Sequence, residues 1–401
     1  ARTGRPTGEG PQPLNLPRDG PSLKRCDACD GWFKPSHDFC PWCAADAREM
    51  KVRKWSTDGC AAVLEVMKAR RLDLVEWFFG DALAAISGCL RGLFVAGPGC
   101  DLIASDFSAI EAVVMAMLAG EQWRIDTFRA RKDIYLAGAA MITGRTYEWY
   151  VDYYETHDKT HHPDRQDIGK VSELALGFGG WIGAWRNFDK TDKWTDDQVK
   201  ANIVAWRAAS PAIVEFWGGQ SRGLPWDENC RPERYGLEGA AVNAIENPGQ
   251  VFTVSGISYF MRGPHLICRL PSTRELTYRH ATVIPASRKW ATPWEKTICY
   301  WTWNTNPLQG AMGWVPMTTY GPKLAENAVQ AVAHCILRFA IKSLRMAGYP
   351  CVLHVYDEAL CEIPKGTGSQ EEFDRIMATL PPWAAGWPIR VEGWRGYRYR
   401  K

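Results

Sequence analysis

Apolar positions along this chain change period several times, and each change marks an element. Between 57 and 92, Ala62, Leu64, Val66 and Met67, then Leu72, Leu74, Val75, Phe78 and Phe79, then Leu83, Ile86 and Leu90 recur at helical spacing. Gly97-Pro98-Gly99 is a turn, and the run Leu102-Ile103-Ala104 predicts a buried strand over 102–106. Ile110, Val113, Val114, Met117 and Leu118 then share one helical face, which Gly120 closes. A second helix is predicted over 123–142, a loop over 157–166, a helix over 166–178, and helical structure broken at Pro211 over 196–218. From 225 to 320 aromatic, Thr, Pro and Gly residues blur any period, and only 266–270 and 297–303 read as strands. Val329, Val332, Ile336, Phe339, Ala340 and Leu344 mark the buried side of a long amphipathic helix over 323–347, ended by Gly348. Cys351–Tyr356 and Ala359–Ile363 read as a hairpin around an Asp-Glu turn.

Two acidic motifs fall at the ends of these apolar runs. Asp106-Phe107-Ser108-Ala109-Ile110-Glu111 follows the strand at 102–106, and Val355-Tyr356-Asp357-Glu358 sits in the hairpin. A carboxylate at the end of a buried strand is costly unless a cation or partner compensates it. Either motif alone reads as exposed strand-end acid. Together, Asp106 and Asp357 can hold a pair of divalent ions, Mg²⁺ or Mn²⁺, about 3.5–4 Å apart, the geometry of in-line phosphoryl displacement. The carbonyl of Phe107 is a further oxygen donor for a hard cation, and Glu358 an adjacent charge.

Gln166, Lys170, Leu174 and Phe178 lie at i, i+4, i+8 and i+12, one stripe of a helix. A Lys there can neutralise phosphate oxygens, and an aromatic two turns on can stack on a base. Asn327 and Gln330, after Tyr320-Gly321-Pro322-Lys323, place amides that can read groove edges. The bland alternatives are a surface Lys with a buried Phe, and ordinary helix surface.

The cysteines separate into two kinds. Cys26-x2-Cys29-x10-Cys40-x2-Cys43 supplies four thiolates suited to a tetrahedral structural Zn²⁺, with His37 as a substitute ligand; the middle spacing is short for a zinc ribbon. Cys60, Cys89, Cys100, Cys268, Cys335, Cys351 and Cys361 lie in apolar surroundings, as small core residues of a reducing compartment do. In 401 residues the net charge is only +3, so bulk charge announces no nucleic-acid partner, although residues 395–401 form a local basic run. No stretch is long and apolar enough to span a membrane, and no signal peptide is visible. Twenty tryptophans are many, and they cluster between Trp181 and Trp314 as core or groove lining.

These motifs, in this order, resemble those of family A DNA polymerases, the bacterial DNA polymerase I type, and most closely the phage and prophage branch. Thr3-Gly4-Arg5 with Pro11–Arg18 resembles the primer–template segment, 106–111 motif A, 169–180 motif B, 320–330 the phage YGGKLxENxxQA pattern and 355–358 motif C. The resemblance implies an α+β right-hand fold. The palm comes from 1–119 and 319–401, the fingers from 120–318, and a zinc-binding insertion occupies 24–56. Thumb and 3′–5′ exonuclease lie upstream and are absent, so the chain reads as a fragment. It implies primer–template DNA and deoxynucleoside triphosphates as partners, a monomer, and the cytoplasm of a bacterial host.

By the same resemblance Asp106 and Asp357 bind two Mg²⁺ ions, Lys170 binds the triphosphate and serves as general acid, and Glu111 with Phe178 rejects ribonucleotides. Arg5, Asn15, Arg18, Asn327, Gln330 and Tyr356 contact primer or template. The sequence departs from the pattern at Tyr135 and Tyr356, each in place of His, at Leu174 in place of an aromatic, and at Gln166 in place of Arg. Arg165, one residue earlier than the expected Arg, reaches the phosphates only if the helix start is overwound. The competing readings are a catalytically degenerate zinc-containing DNA-binding module and a single-subunit RNA polymerase. Glu111 and the Asp357-Glu358 pair argue against the latter.

Overall fold

The computed structural model describes residues 20–53, 60–189, 191–218, 232–285, 296–305 and 310–399, without the side chains of 232–235. Arg5, Asn15 and Arg18 lie outside the described residues.

Three short strands come first: β1 (Leu23–Arg25), β2 (Trp32–Phe33) and β3 (Val52–Arg53). Helices α1 (Cys60–Lys68), α2 (Leu72–Phe79) and α3 (Ala82–Cys89) precede β4 (Cys100–Phe107). A helical stretch follows: α4 (Ile110–Ala119), α5 (Gln122–Arg129), α6 (Ile134–Thr143), α7 (Tyr147–Thr156), a wide helical turn Arg165–Lys170, α8 (Val171–Leu176), α9 (Ile182–Phe188), α10 (Asp196–Ala209), α11 (Pro211–Trp217) and α12 (Pro232–Glu246). Next come β5 (Phe252–Val254), β6 (Ile257–Arg262), β7 (His265–Arg269), β8 (Glu275–Pro285), β9 (Lys296–Asn304) and β10 (Gly313–Thr319). Helix α13 (Gly321–Met346), β11 (Cys351–Val355), β12 (Glu358–Pro364), α14 (Gln370–Met377) and β13 (Val391–Gly396) end the chain. Helices thus mix with antiparallel sheets, in keeping with the α+β expectation.

Two compact units emerge. One holds residues 108–339 and 380–390; the other holds the described residues up to 107, then 340–379 and 391–399. The second unit is built on an antiparallel sheet in the order β11-β12-β4-β13. Strand β4 sits inside this sheet, paired along both edges, and Leu102 to Ser105 are buried on both faces, which is why the strand reads as an apolar run. Ala96, Leu102, Ala104, Leu360 and Tyr399 form the core against it.

In the first unit, β5 to β10 form a six-stranded meander in sequential order. Only β7 and β9 match predicted strands, so most of this sheet and all of α12 correct the sequence reading. The helix predicted over 123–142 is two helices. Arg131 adopts φ +55°, and Asp133 caps α6 by accepting from the backbone N–H groups of Tyr135 and Leu136. Helix α7 also stands before the predicted loop. A buried ion pair ties α5 to α8: Arg124 Nη1 donates to Glu173 Oε2 at 2.5 Å, and Arg124 Nη2 donates to Ser210 Oγ at 3.1 Å. Such a pair stabilises little relative to apolar packing, but losing one partner strands a buried charge. The break at Pro211 falls where it was expected, with Ser210 between α10 and α11.

Candidate active site and metal centre

Within the second unit, folding brings Asp106-Phe107 and the motif at 355–358 to one end of the four-stranded sheet. In the β4–β12 register Asp106 stands opposite Glu358. The turn joining β11 to β12 is Tyr356-Asp357, one residue earlier than predicted, and Val355 pairs with Glu358 across it. Tyr356 takes φ +55°, a left-handed conformation uncommon for a bulky residue and characteristic of functional turns. The Phe107 N–H donates to the Asp357 carbonyl at 3.2 Å, which fixes the turn beside the end of β4. On its other side Asp106 is registered with Glu392 of β13, a carboxylate the sequence reading did not single out. Like charges placed opposite one another on a sheet are mutually destabilising. An arrangement of Glu358, Asp106 and Glu392 across three strands, with Asp357 at the adjoining turn, is therefore suited to bound cations.

Glu358 is 2% exposed, and a buried network holds it. The Tyr399 hydroxyl donates to Glu358 Oε2 at 2.6 Å, and Arg91 Nη1 donates to the Tyr399 oxygen at 3.0 Å. Burial, then the Glu358 charge, push the Tyr399 phenol well above its ordinary range, so it stays a donor. Neither Arg91 nor Tyr399 was legible as a site residue, because their partners are remote in sequence. The basic run at 395–399 is structural rather than an open patch. Arg395 Nε donates to Asp101 at 3.0 Å, Arg398 donates to the Gly92 carbonyl at 2.7 Å, and Tyr399 is buried.

The first unit holds the predicted nucleotide-binding residues from Glu111 to Phe178, with Asn327 and Gln330. Glu111 lies in the first turn of α4. Helix α8 does not begin as an α-helix: Arg165–Lys170 form one turn of i→i+5 hydrogen bonding. Such a turn holds one residue more than an α-turn. The start is thus wide rather than overwound, which corrects the expected condition on Arg165 and breaks the even i+4 stripe from Gln166 to Lys170. Arg165 Nε donates to Asp133 Oδ2 at 2.6 Å, and its guanidinium lies 5.3 Å from the Tyr135 ring centre. Burial, followed by the charges of Glu173 and Asp133, raises the Tyr135 phenol. Gln166 and Leu174 are exposed; Lys170 and Phe178 are half-buried. Asn327 is buried and donates to the Tyr278 hydroxyl at 3.1 Å, so its amide is directed into the unit; Gln330 is half-buried.

Gly169 sets the placement of Lys170. A methyl group there would stand 1.9 Å from the Tyr135 carbonyl oxygen, so the turn packs on α6 through bare backbone. Gly169→Ala is expected to destabilise the protein by about 1–3 kcal/mol, read as a lower denaturant midpoint. An unchanged midpoint would refute the close approach.

In the second unit, the sulfurs of Cys26, Cys29, Cys40 and Cys43 all lie within 4.8 Å of one another, with Cys26–Cys43 and Cys29–Cys40 each at 3.6 Å. A tetrahedron with metal–sulfur bonds of about 2.3 Å has edges of about 3.8 Å, so the set fits such an ion. Burial opposes ionisation of Cys26, but hydrogen bonds from the N–H groups of Ala28 and Cys29 and from the Cys43 and Cys29 thiols together bring it down to about 7. Cys29, by contrast, is pushed up to about 12 by burial. His37 is not a ligand of this group. Its Nε2 hydrogen-bonds the Trp77 carbonyl at 2.8 Å, and its ring packs 4.7 Å from Trp77.

No described helix is long and apolar enough to cross a membrane. No family model matches the chain. By sequence, however, the chain is similar to a DNA polymerase. The relative is the DNA polymerase of Bacillus phage SP02, 31% identical over 339 residues, which are 84% of this chain and 47% of that protein. The chain thus spans about half the length of the curated relative it matches. Among solved structures, the POL domain of Pol1 from M. smegmatis, in complex with DNA primer–template and dNTP, matches with a TM-score of 0.47 and 15% identity. That match covers 78% of this chain and 42% of that one.

Proposed function

We propose that this chain is the catalytic core of a DNA-dependent DNA polymerase, which adds deoxynucleotides to a primer 3′-hydroxyl in phage DNA replication. The observation that carries the reading is the β4–β12 pairing. It sets Asp106 opposite Glu358, with Asp357 at the adjoining turn, in a chain homologous to a phage DNA polymerase over most of its length. In this reading the four-stranded sheet is the palm and the helical unit the fingers.

Asp106, Asp357 and the Phe107 carbonyl would hold two Mg²⁺ ions. When bound, these lower the pKa of the primer hydroxyl and neutralise charge on the leaving pyrophosphate. Glu358, kept in place by Tyr399 and Arg91, adds negative charge beside that set. Lys170 pairs with the triphosphate and delivers a proton to the departing pyrophosphate. Arg165, reoriented by the wide turn and steadied by Asp133, supports the phosphates, and Tyr135 lines the same face. Glu111 and Phe178 crowd the sugar 2′ position, with Gln166 and Leu174 flanking. Gln330 and Tyr356 meet primer or template, and Asn327 positions the helix through Tyr278. Cys26, Cys29, Cys40 and Cys43 hold a structural Zn²⁺.

Template-directed extension of a labelled primer with Mg²⁺ tests this, comparing deoxy- and ribonucleotides. We expect extension with deoxynucleotides at least about 100-fold more efficient than with ribonucleotides, a ratio within reach of a site that crowds one hydroxyl. A ribonucleotide preference would transfer the chain to the RNA polymerases. Tight primer–template binding without extension, by this chain and by a form carrying its upstream region, would leave a DNA-binding module.

A further inference from the structure

The six-stranded meander of the first unit has one face turned outward that the catalytic reading does not use. Trp301, Trp303 and Trp314 are 42%, 58% and 49% exposed. Cross-strand register puts them together: Trp303 pairs with Trp314, and Trp301 is flanked by Pro316 on β10 and Arg279 on β8. The Trp303 and Trp314 rings meet edge to face at 5.7 Å, and the Arg279 guanidinium lies 5.2 Å from the Trp314 ring centre. The opposite face of the same strands buries Tyr278, Ile298 and Tyr300. Three large indoles in water on one side of a sheet are thus not spare core.

A bulge between Arg279 and Thr282 shapes this face further. It puts His280 at φ +47° and leaves it exposed, with its backbone N–H donating to His265 Nδ1 at 3.1 Å. Arg279, His280, Trp301 and Trp314 line a cleft of about 360 Å³, at the small end of ligand pockets. Charge points the same way. The one carboxylate on β8, β9 and β10 is Glu275, and it is engaged by Arg262 at 2.8 Å and Arg269 at 3.0 Å. Arg279 therefore presents its charge without an acidic neighbour on these strands.

We propose that this face binds single-stranded DNA, with unpaired bases stacked on Trp301, Trp303 and Trp314 and a phosphate drawn to Arg279. Trp301 and Trp303 are two residues apart on one strand, about 7 Å. That is about twice the base rise of a duplex strand, a spacing for an extended, unstacked strand rather than a helix. Indoles beside a cation are the usual platform for such a strand, and they tolerate any base because every base offers a π-face. A duplex hides those faces, so it is disfavoured here. The site stands independently of the polymerase reading; under that reading its occupant is the unpaired template.

Anisotropy of a labelled oligo(dT) titrated with the chain tests the assignment. Trp303→Ala with Trp314→Ala is expected to weaken binding roughly 10- to 100-fold. The double Phe variant should keep most of the affinity, since it keeps a stacking surface. Because these residues are exposed, the thermal midpoint should barely change. Unaltered oligo(dT) affinity in the Ala variant overturns the proposal. So does an equal loss for blunt duplex, or dimerisation of the parent chain through this face that the variant relieves. A chain that cannot extend primers, alone or with its upstream region, yet binds oligo(dT) through these tryptophans would sink the catalytic reading and leave this one intact.

Discussion

Asp106→Asn and Asp357→Asn are each expected to lower primer extension at saturating deoxynucleotide by roughly 10³-fold or more, with primer–template affinity nearly unchanged. The size follows from the chemistry. Ion-assisted displacement supplies several kcal/mol of charge stabilisation in the transition state, and each 1.36 kcal/mol is about tenfold in rate. The direction of any stability change separates this from a structural role. Glu358 and Glu392 both stand opposite Asp106 in the sheet, so amidation removes repulsion as well as a ligand. The thermal midpoint of Asp106→Asn should therefore hold or rise slightly, and that of Asp357→Asn, at the turn, should hold, while activity collapses. A variant that keeps activity, or one that loses activity only because it unfolds, would defeat the assignment of these carboxylates.

That the two acids belong together was readable only in part. Each motif is local, and each announces itself as an acid after an apolar run. Their juxtaposition depends on β12 lying beside β4, a long-range pairing to which hydrophobic period is blind. Resemblance to a known motif order supplied what the period could not. Glu392 carries no such signal: in Val391-Glu392-Gly393 it looks like any edge acid, and only the β13 register sets it beside Asp106. Arg91 and Tyr399 are hidden for the same reason.

Elsewhere legibility tracked how strongly one period dominates a segment. Helix α13 was visible because Val329, Val332, Ile336, Ala340 and Leu344 are all buried on one stripe. The α10–α11 break was visible because proline is tolerated at the first turn of a helix and not inside one. The β5–β10 meander was mostly missed. Strand β5 is only three residues long, and on β10 the half-exposed Trp314 and Met317 blur the contrast between the buried and outward faces. The wide turn at Arg165–Lys170 was missed because one extra residue per turn leaves composition unchanged. It matters nonetheless, since it changes which side chain lies one turn from Lys170.

The second large effect concerns the four cysteines. Cys26→Ser with Cys43→Ser is expected to take bound zinc from one ion per chain to none and to unfold the segment around them. This lobe has little else to hold it. Strands β1, β2 and β3 are three, two and two residues long. Its own core is Cys26, Phe33, Cys40 and Ala47, two of them ligands, while Leu23 and Trp32 pack into the core of α1 to α3. Modules this small commonly need a metal to fold, and structural zinc contributes roughly 10–16 kcal/mol of apparent binding energy at neutral pH. The lobe is also fastened to α2 in the same unit. The Lys34 N–H donates to the Phe78 carbonyl at 2.7 Å, and the Trp42 ring stacks on Phe78 at 4.5 Å. Loss of the ion should thus open residues 20–53 to protease and bare Trp77 and Phe78, seen as raised binding of an apolar dye. The carboxylate sheet, with its own core around Leu102, Ala104 and Leu360, should keep its fold. Zinc retained at one ion per chain in the double variant would disprove the ligand set. Zinc lost without any gain in protease sensitivity would disprove the claim that the lobe's fold depends on it.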